Sequence, residues 1–168
     1  MLNRQQIKQL ITHQALVQEY IDLDQQLTPN GFDLTAGRIF LIDTAGCVDF
    51  DNRQRRLPEG REVPQEEISE NKKGWRLSPG VYKVRTNEII NLPDDLVALA
   101  FSRTTLLRMG VFTVHGVWDA GFSGRGEFLL QVCAKEGVEI LEGARLAQLV
   151  FFPVEKTQGY TGIFRGLK

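Results

Sequence analysis

A chain of 168 residues that is 42% hydrophobic and 24% charged has the composition of a soluble globular protein and enough length for one domain, 1–168, with a sizeable core. A net charge of −1 and a pI near 6.1 exclude a general attraction to polymeric nucleic acid or an anionic membrane, although a local basic pocket stays open. No apolar run approaches the ~20 residues that cross a bilayer, and the opening MLNRQQIKQL has no apolar segment of the signal-peptide kind.

In chain order, NRQQIKQLIT predicts a short helix over 3–12, with Asn3 as N-cap and Ile7, Leu10 and Ile11 spaced i, i+3, i+4. A second short amphipathic piece, ALVQEYI, extends a helical N-terminal segment to about residue 22. From Gly31 the pattern changes to short apolar runs broken by Gly, Pro, Asn and Asp, the mark of an antiparallel all-β domain. The strand candidates are FDLTAGRIFLI, GVYKVRTNEIINL, LVALAFS, VFTVHGVW, EFLLQVCA, VEILE and RLAQLVFFPV. Turn signals fall at SPG 78–80, LPDD 92–95, KEG 135–137 and EG 142–143. This spacing favours a barrel or a jelly-roll-like sandwich over alternating β and α units. The segment 51–74, charged in both signs and without periodicity, reads as a solvated loop.

Chemistry-bearing residues are few. Cys47, Cys133, His13 and His115 stand alone, which gives no zinc-site spacing, and Cys133 in FLLQVCA reads as a buried small hydrophobe. This cysteine use is consistent with a cytoplasmic protein. No nucleophile elbow, P-loop or H-E-x-x-H pair is present. What remains is a set of polar residues at the ends of apolar runs. In SRTTLLR, Arg103, Thr104, Thr105 and Arg108 combine forked charge with hydroxyls, which suits phosphate and equally suits a strand end or helix cap. Gln148 reads as a satisfied polar residue in an apolar strand. Asp119 lies between Trp118 and Ala120 in a glycine-rich run and is either a general base toward water or an Asp of a tight turn.

Taken together and in order, these pieces resemble the dUTPase/dCTP deaminase family. LSPGVYKVRTNEIINLPDDL is similar to the approach to its second motif, and SRTTLLRMG to R-S-S-L-x-R-x-G with threonines for both serines. GVWDAGFSG is similar to G-V-I-D-x-x-Y-x-G, GARLAQLVF to G-x-R-I-A-Q-L-V-F, and NGFDL, near the start, to A-G-Y-D-L. The resemblance is strongest from Leu77 to Pro153 and implies a mainly β, distorted jelly-roll barrel with a short N-terminal helix, assembled as a homotrimer with sites between subunits. The N-terminal helix and the long approach to the second motif resemble the deaminase branch and its archaeal-type diphosphatase relatives.

The two activities separate at one position. Deaminases of this family carry a glutamate ten residues beyond the third-motif aspartate, and here that position is Leu129. Glu127 sits two residues earlier, roughly 6.6 Å away along an extended strand at ~3.3 Å per residue. The resemblance therefore implies a dUTP diphosphatase yielding dUMP and diphosphate. The alternatives are a dCTP deaminase, mono- or bifunctional, and a non-catalytic nucleotide-binding regulatory trimer. Carried over, Asp119 activates water, Phe122 (at a tyrosine position) packs under the deoxyribose, and Gly116 and Val117 read the uracil edge. Arg103, Thr104, Thr105 and Arg108 hold phosphates, Gln148 touches the phosphate or water region, and Asp33 supports the site or the hydrated metal. Mg²⁺ is carried by the triphosphate. The end of the chain, GYTGIFRGLK, departs from the glycine-rich arm of short dUTPases, but Tyr160, Phe164 and Arg165 give the arm 156–168 an aromatic and charged character suited to capping a neighbouring site.

Overall fold

The computed structural model describes Met1–Leu167. Helix α1 spans Arg4–Gln14, and its N-terminus is closed by a reciprocal pair: Asn3 Oδ1 accepts from Gln6 N–H, and Gln6 Oε1 from Asn3 N–H, both at 3.0 Å. Ile7 and Ile11 are its buried residues. The helix stops at Ala15, which adopts φ 52. ALVQEYI, expected as a second amphipathic piece of a helical segment, is instead largely extended. Its Val17–Gln18 forms strand β1 against Ile90 and Ile89, because Val17 fills a core site that a helical turn would leave empty.

A four-residue helix α2 (Leu23–Gln26) leads into β2 (Leu27–Thr28) and the long β3 (Gly31–Leu41). The charged segment is less irregular than its composition implies: it contains β4 (Arg61–Glu62), β5 (Glu66–Ser69) and the start of β6 (Lys72–Leu77). Then follow β7 (Gly80–Asn91), β8 (Leu96–Ser102), the five-residue helix α3 (Thr104–Arg108), β9 (Val111–Val114), β10 (Ser123–Val132), β11 (Val138–Leu141) and β12 (Arg145–Pro153).

The principal sheet runs β8-β12-β3-β7-β10-β9, and every pairing in it is antiparallel. Its two ends approach each other: Thr113 N–H of β9 donates to Ser102 Oγ of β8 at 2.6 Å, so the sheet is a nearly closed barrel. A smaller sheet runs β11-β6-β5, and its Trp75, Leu77 and Ile140 are buried. Burial alternates strictly along β10, with Phe128, Leu130 and Val132 inward and Glu127, Leu129 and Gln131 less so. One apolar cluster joins α1 to Phe32, Ile90, Leu149 and Phe151; a second holds Ile39, Trp75, Val84, Leu130 and Leu146. Cys133, expected to be buried, is exposed, since it lies just past the end of β10 and outside the alternation.

Candidate active site

The run from His115 to Phe122 leaves β9 and returns into β10 through a tight turn. Regular pairing of β9 ends at Val114, earlier than the run VFTVHGVW implies, and Trp118 regains the sheet only as an isolated bridge to Ala98, with N–H···O of 3.0 Å in both directions. The next four residues close a β-turn in which Phe122 N–H donates to Asp119 O at 3.1 Å. Gly121 takes φ 77 there, a conformation that disfavours a side chain. The turn is pinned from outside by Gly121 N–H to Pro93 O (3.2 Å) and Leu92 N–H to Phe122 O (2.8 Å). Its side chains diverge: Trp118 and Phe122 go inward, edge to face at 5.6 Å, while Asp119 stays exposed.

This hairpin forms one wall of a cleft of about 470 Å³. Gly116, Val117, Asp119 and Phe122 line it, and Tyr160 and Phe164 of the C-terminal segment face them. That segment docks on its own chain: Tyr160 N–H donates to Ala120 O at 2.8 Å, Gly166 N–H to Ser123 O at 2.7 Å, and Arg125 N–H to Leu167 O at 2.9 Å. The Phe122 and Tyr160 rings lie 5.8 Å apart. Arg165 is exposed and does not line the cleft. An open carboxylate beside an aromatic floor can hold water against a ligand whose flat, apolar part rests inside.

The remaining candidates gather elsewhere on the chain. Arg103 occupies the N-cap position of α3 without a side-chain cap bond, because its guanidinium points to Asp33: Nε lies 3.1 Å from Oδ2. Arg145 Nη1 meets the same oxygen at 3.3 Å. Asp33 is almost fully buried, so burial pushes its carboxyl up from the usual range while the two guanidinium groups oppose that shift. Gln148 sits opposite Asp33 on β12, and its Nε2 donates to Thr28 Oγ1 at 2.6 Å. Thr104, Thr105 and Arg108 line a separate surface hollow with Met109. The pockets of the single chain thus leave the Asp119 hairpin apart from the threonine–arginine group.

A family model described as dCTP deaminase-like matches residues 1–154. The chain belongs to the dCTP deaminase-like family. It is 43% identical over 169 residues to a "Probable deoxyuridine 5'-triphosphate nucleotidohydrolase" of Methanococcoides burtonii, covering 98% of this chain and 96% of the relative. A protein of the same name from Archaeoglobus fulgidus is 38% identical, with 98% and 95% covered. The "Deoxyuridine 5'-triphosphate nucleotidohydrolase" of Methanocaldococcus jannaschii is 37% identical, with 85% and 89% covered. Among solved structures, the fold is similar to that of the 2'-deoxycytidine 5'-triphosphate deaminase from Agrobacterium tumefaciens, at TM-score 0.64 and 22% identity; the match covers 89% of this chain and 45% of that one.

Within this dCTP deaminase-like frame, the position ten residues after Asp119 holds Leu129, which pairs across strands with Val114 and Lys83 and does not line the cleft. Glu127 does line it, but its Oε1 accepts from Arg85 Nε and Nη2 at 3.0 and 2.8 Å and lies 3.5 Å from Lys83 Nζ. Two cations thus hold that carboxylate in place as an ion-pair partner.

Three features of the structure escaped the sequence. Leu57 and Pro58 reach the cleft from the charged segment. Glu88 is fully buried: Oε1 accepts from Thr35 Oγ1 at 2.6 Å and Gln26 Nε2 at 2.7 Å, and Oε2 from Thr35 N–H at 3.0 Å. Burial raises its pKa against those bonds. His115, just before the hairpin, bonds Thr113 Oγ1 through Nε2 at 2.8 Å and lies tilted against Phe128, with ring centroids 4.7 Å apart. Its Nδ1 is buried with no hydrogen-bond partner among the described residues, and burial lowers its pKa from 6.5 to about 4. Periodicity signals none of these, since each depends on what a distant strand or loop brings near.

Proposed function

We propose that this chain is a dUTP diphosphatase, hydrolysing dUTP to dUMP and diphosphate. The observation that carries the reading is the exposed Asp119 carboxylate at a cleft lined by Phe122 and Tyr160, with Leu129 where a deaminating relative would place glutamate. The full-length similarity to archaeal proteins named for dUTP hydrolysis supports it.

In this reading the base and deoxyribose enter the apolar cleft, with Phe122 beneath the sugar. The backbone of Gly116 and Val117 meets the uracil edge, since main-chain groups offer donors and acceptors of fixed geometry. Asp119 accepts a hydrogen bond from the attacking water and takes its proton as the new P–O bond forms and diphosphate leaves. Arg103, Thr104, Thr105 and Arg108 bind the phosphates, with Gln148 beside them. Asp33 acts one step back. Its oxygen is engaged by Arg103 and Arg145, so it positions a phosphate-binding guanidinium rather than a hydrated metal. Mg²⁺ would be carried in by the triphosphate with its own waters, where it would neutralise phosphate charge.

The two halves of the site become one when subunits assemble, which makes a homotrimer part of the proposal. Phe101 on β8, Phe112 and Val114 on β9, and Leu107 and Met109 around α3 are all exposed beside the threonine–arginine group. An apolar band of that kind suits burial against another copy. We take 1–168 as one catalytic domain with 156–168 as its arm, working in the cytoplasm. Incubation with dUTP, dCTP and Mg²⁺, followed by chromatography, tests the activity. Formation of dUMP and diphosphate is expected. Ammonia from dCTP, or tight dUTP binding without any product, would replace this reading by deamination or by a non-catalytic nucleotide sensor.

A further inference from the structure

The chain between β3 and β4 turns back onto the candidate site, and its two parts differ. Cys47 and Arg56 form an isolated antiparallel bridge, with N–H···O of 2.9 Å in both directions. The tip that this bridge closes is solvent-facing: Val48 and Phe50 are exposed, and Asp49 Oδ2 accepts from Gln54 N–H at 2.9 Å. The returning limb is held at both ends, by Arg56 in the bridge and by β4, where Arg61 pairs with Leu41 and Glu62 with Phe40.

Between those anchors, Leu57 and Pro58 line the Asp119 cleft together with Ile42. Leu57 is 50% exposed, an apolar side chain half open to water among Arg53, Arg55, Arg56, Glu59 and Arg61. It belongs to neither apolar core cluster. The hairpin and the arm's aromatic rings line the same cleft, with Lys83, Arg125 and Glu127 as its charged lining.

We propose that Leu57 and Pro58 form a specificity wall, against which the base and deoxyribose of the nucleotide pack. This rests on the dUTP-diphosphatase reading. A ring held between an aliphatic and an aromatic surface sheds water from both faces. A ribose in the same slot would bury a 2′-hydroxyl against carbon, without a partner, which disfavours UTP. The wall acts on the ring and sugar and leaves the phosphates untouched.

Three variants of the full chain test this by steady-state kinetics. Leu57→Ser is expected to raise KM for dUTP about tenfold with kcat nearly unchanged, the effect of losing about 1.4 kcal/mol of apolar contact. It should also narrow the preference for dUTP over UTP. Inhibition by inorganic triphosphate, which has no ring, should stay as in wild type. Leu57→Met should restore most of the affinity. Replacing the tip 48–55 by Asn-Gly, a turn that keeps the Cys47–Arg56 bridge closed, should leave KM at the wild-type value. A wild-type KM in Leu57→Ser, an equal loss of triphosphate inhibition, or a raised KM on tip replacement would each overturn the wall. Wild-type protein releasing no diphosphate would instead sink the reading beneath it.

Discussion

His115 is the residue whose chemistry is set most plainly by its surroundings. Its ring is half-buried against Phe128, and desolvation lowers its pKa from 6.5 to about 4. A depressed histidine stabilises the fold in its neutral form. That stabilisation is complete above pH 6.5 and is lost as pH falls toward 4, up to about 3 kcal/mol. Asp33 and Glu88, both raised by burial, act in the opposite sense: each stabilises at low pH and loses that contribution as pH rises. The histidine is therefore read by difference. Thermal melts from pH 7.5 to 5 should show wild type losing more stability than His115→Gln, and parallel curves would contradict this assignment. Asp33 gives a second residue-level outcome. Its oxygen joins Arg103 and Arg145, so Asp33→Ala should destabilise by on the order of 3 kcal/mol in denaturant titration. A change within 0.5 kcal/mol would show that the ion triad carries little.

At the scale of elements, β10 connects packing to the site. A Cβ on Gly126 would lie 1.9 Å from the Trp118 indole, so the ring rests on bare backbone and leads directly into the Asp119 turn. Gly126→Ala must move the indole. It should cost about 1–3 kcal/mol as overpacking and raise KM for dUTP through a shifted hairpin. A variant with wild-type melting and KM would remove the coupling between that ring and the turn. The same element shows what sequence can and cannot convey. EFLLQVCA was legible as a strand, because a period of two is local, and its residues 127–132 lie in β10. Asn3 was legible as a cap for the same reason, and its capping box is formed. ALVQEYI was not, because Val17 is claimed by Ile90, 73 residues away, after the chain turns at Ala15. Nor was Leu57–Pro58, where charged neighbours hid two apolar residues whose destination is a cleft built by other segments. Motif resemblance pointed to Asp119 and Phe122, and the structure places both on the lining of one cleft.

For the whole molecule, the separation of the Asp119 cleft from the Thr104–Arg108 hollow is the decisive feature. If copies complete one another, two inactive variants should rescue each other. Mixing Asp119→Asn chains with Thr104→Ala/Arg108→Ala chains, after unfolding and refolding together, should return a measurable fraction of activity. A refolded mixture with no activity above either parent would place the whole site within one chain. The arm is part of the same side of the site, since it bonds Ala120, Ser123 and Arg125 of its own chain.

We propose that this fold hydrolyses dUTP through Asp119. Wild type and Asp119→Asn should be compared in one experiment that measures dUMP formation from dUTP with Mg²⁺ and, in parallel, equilibrium binding of dUTP. Wild type should produce dUMP and diphosphate. The variant should bind dUTP to within a few-fold while its turnover falls about 10²–10⁴-fold, the range for loss of a general base. Equal turnover in the two proteins, or no dUMP from wild type, would contradict the account.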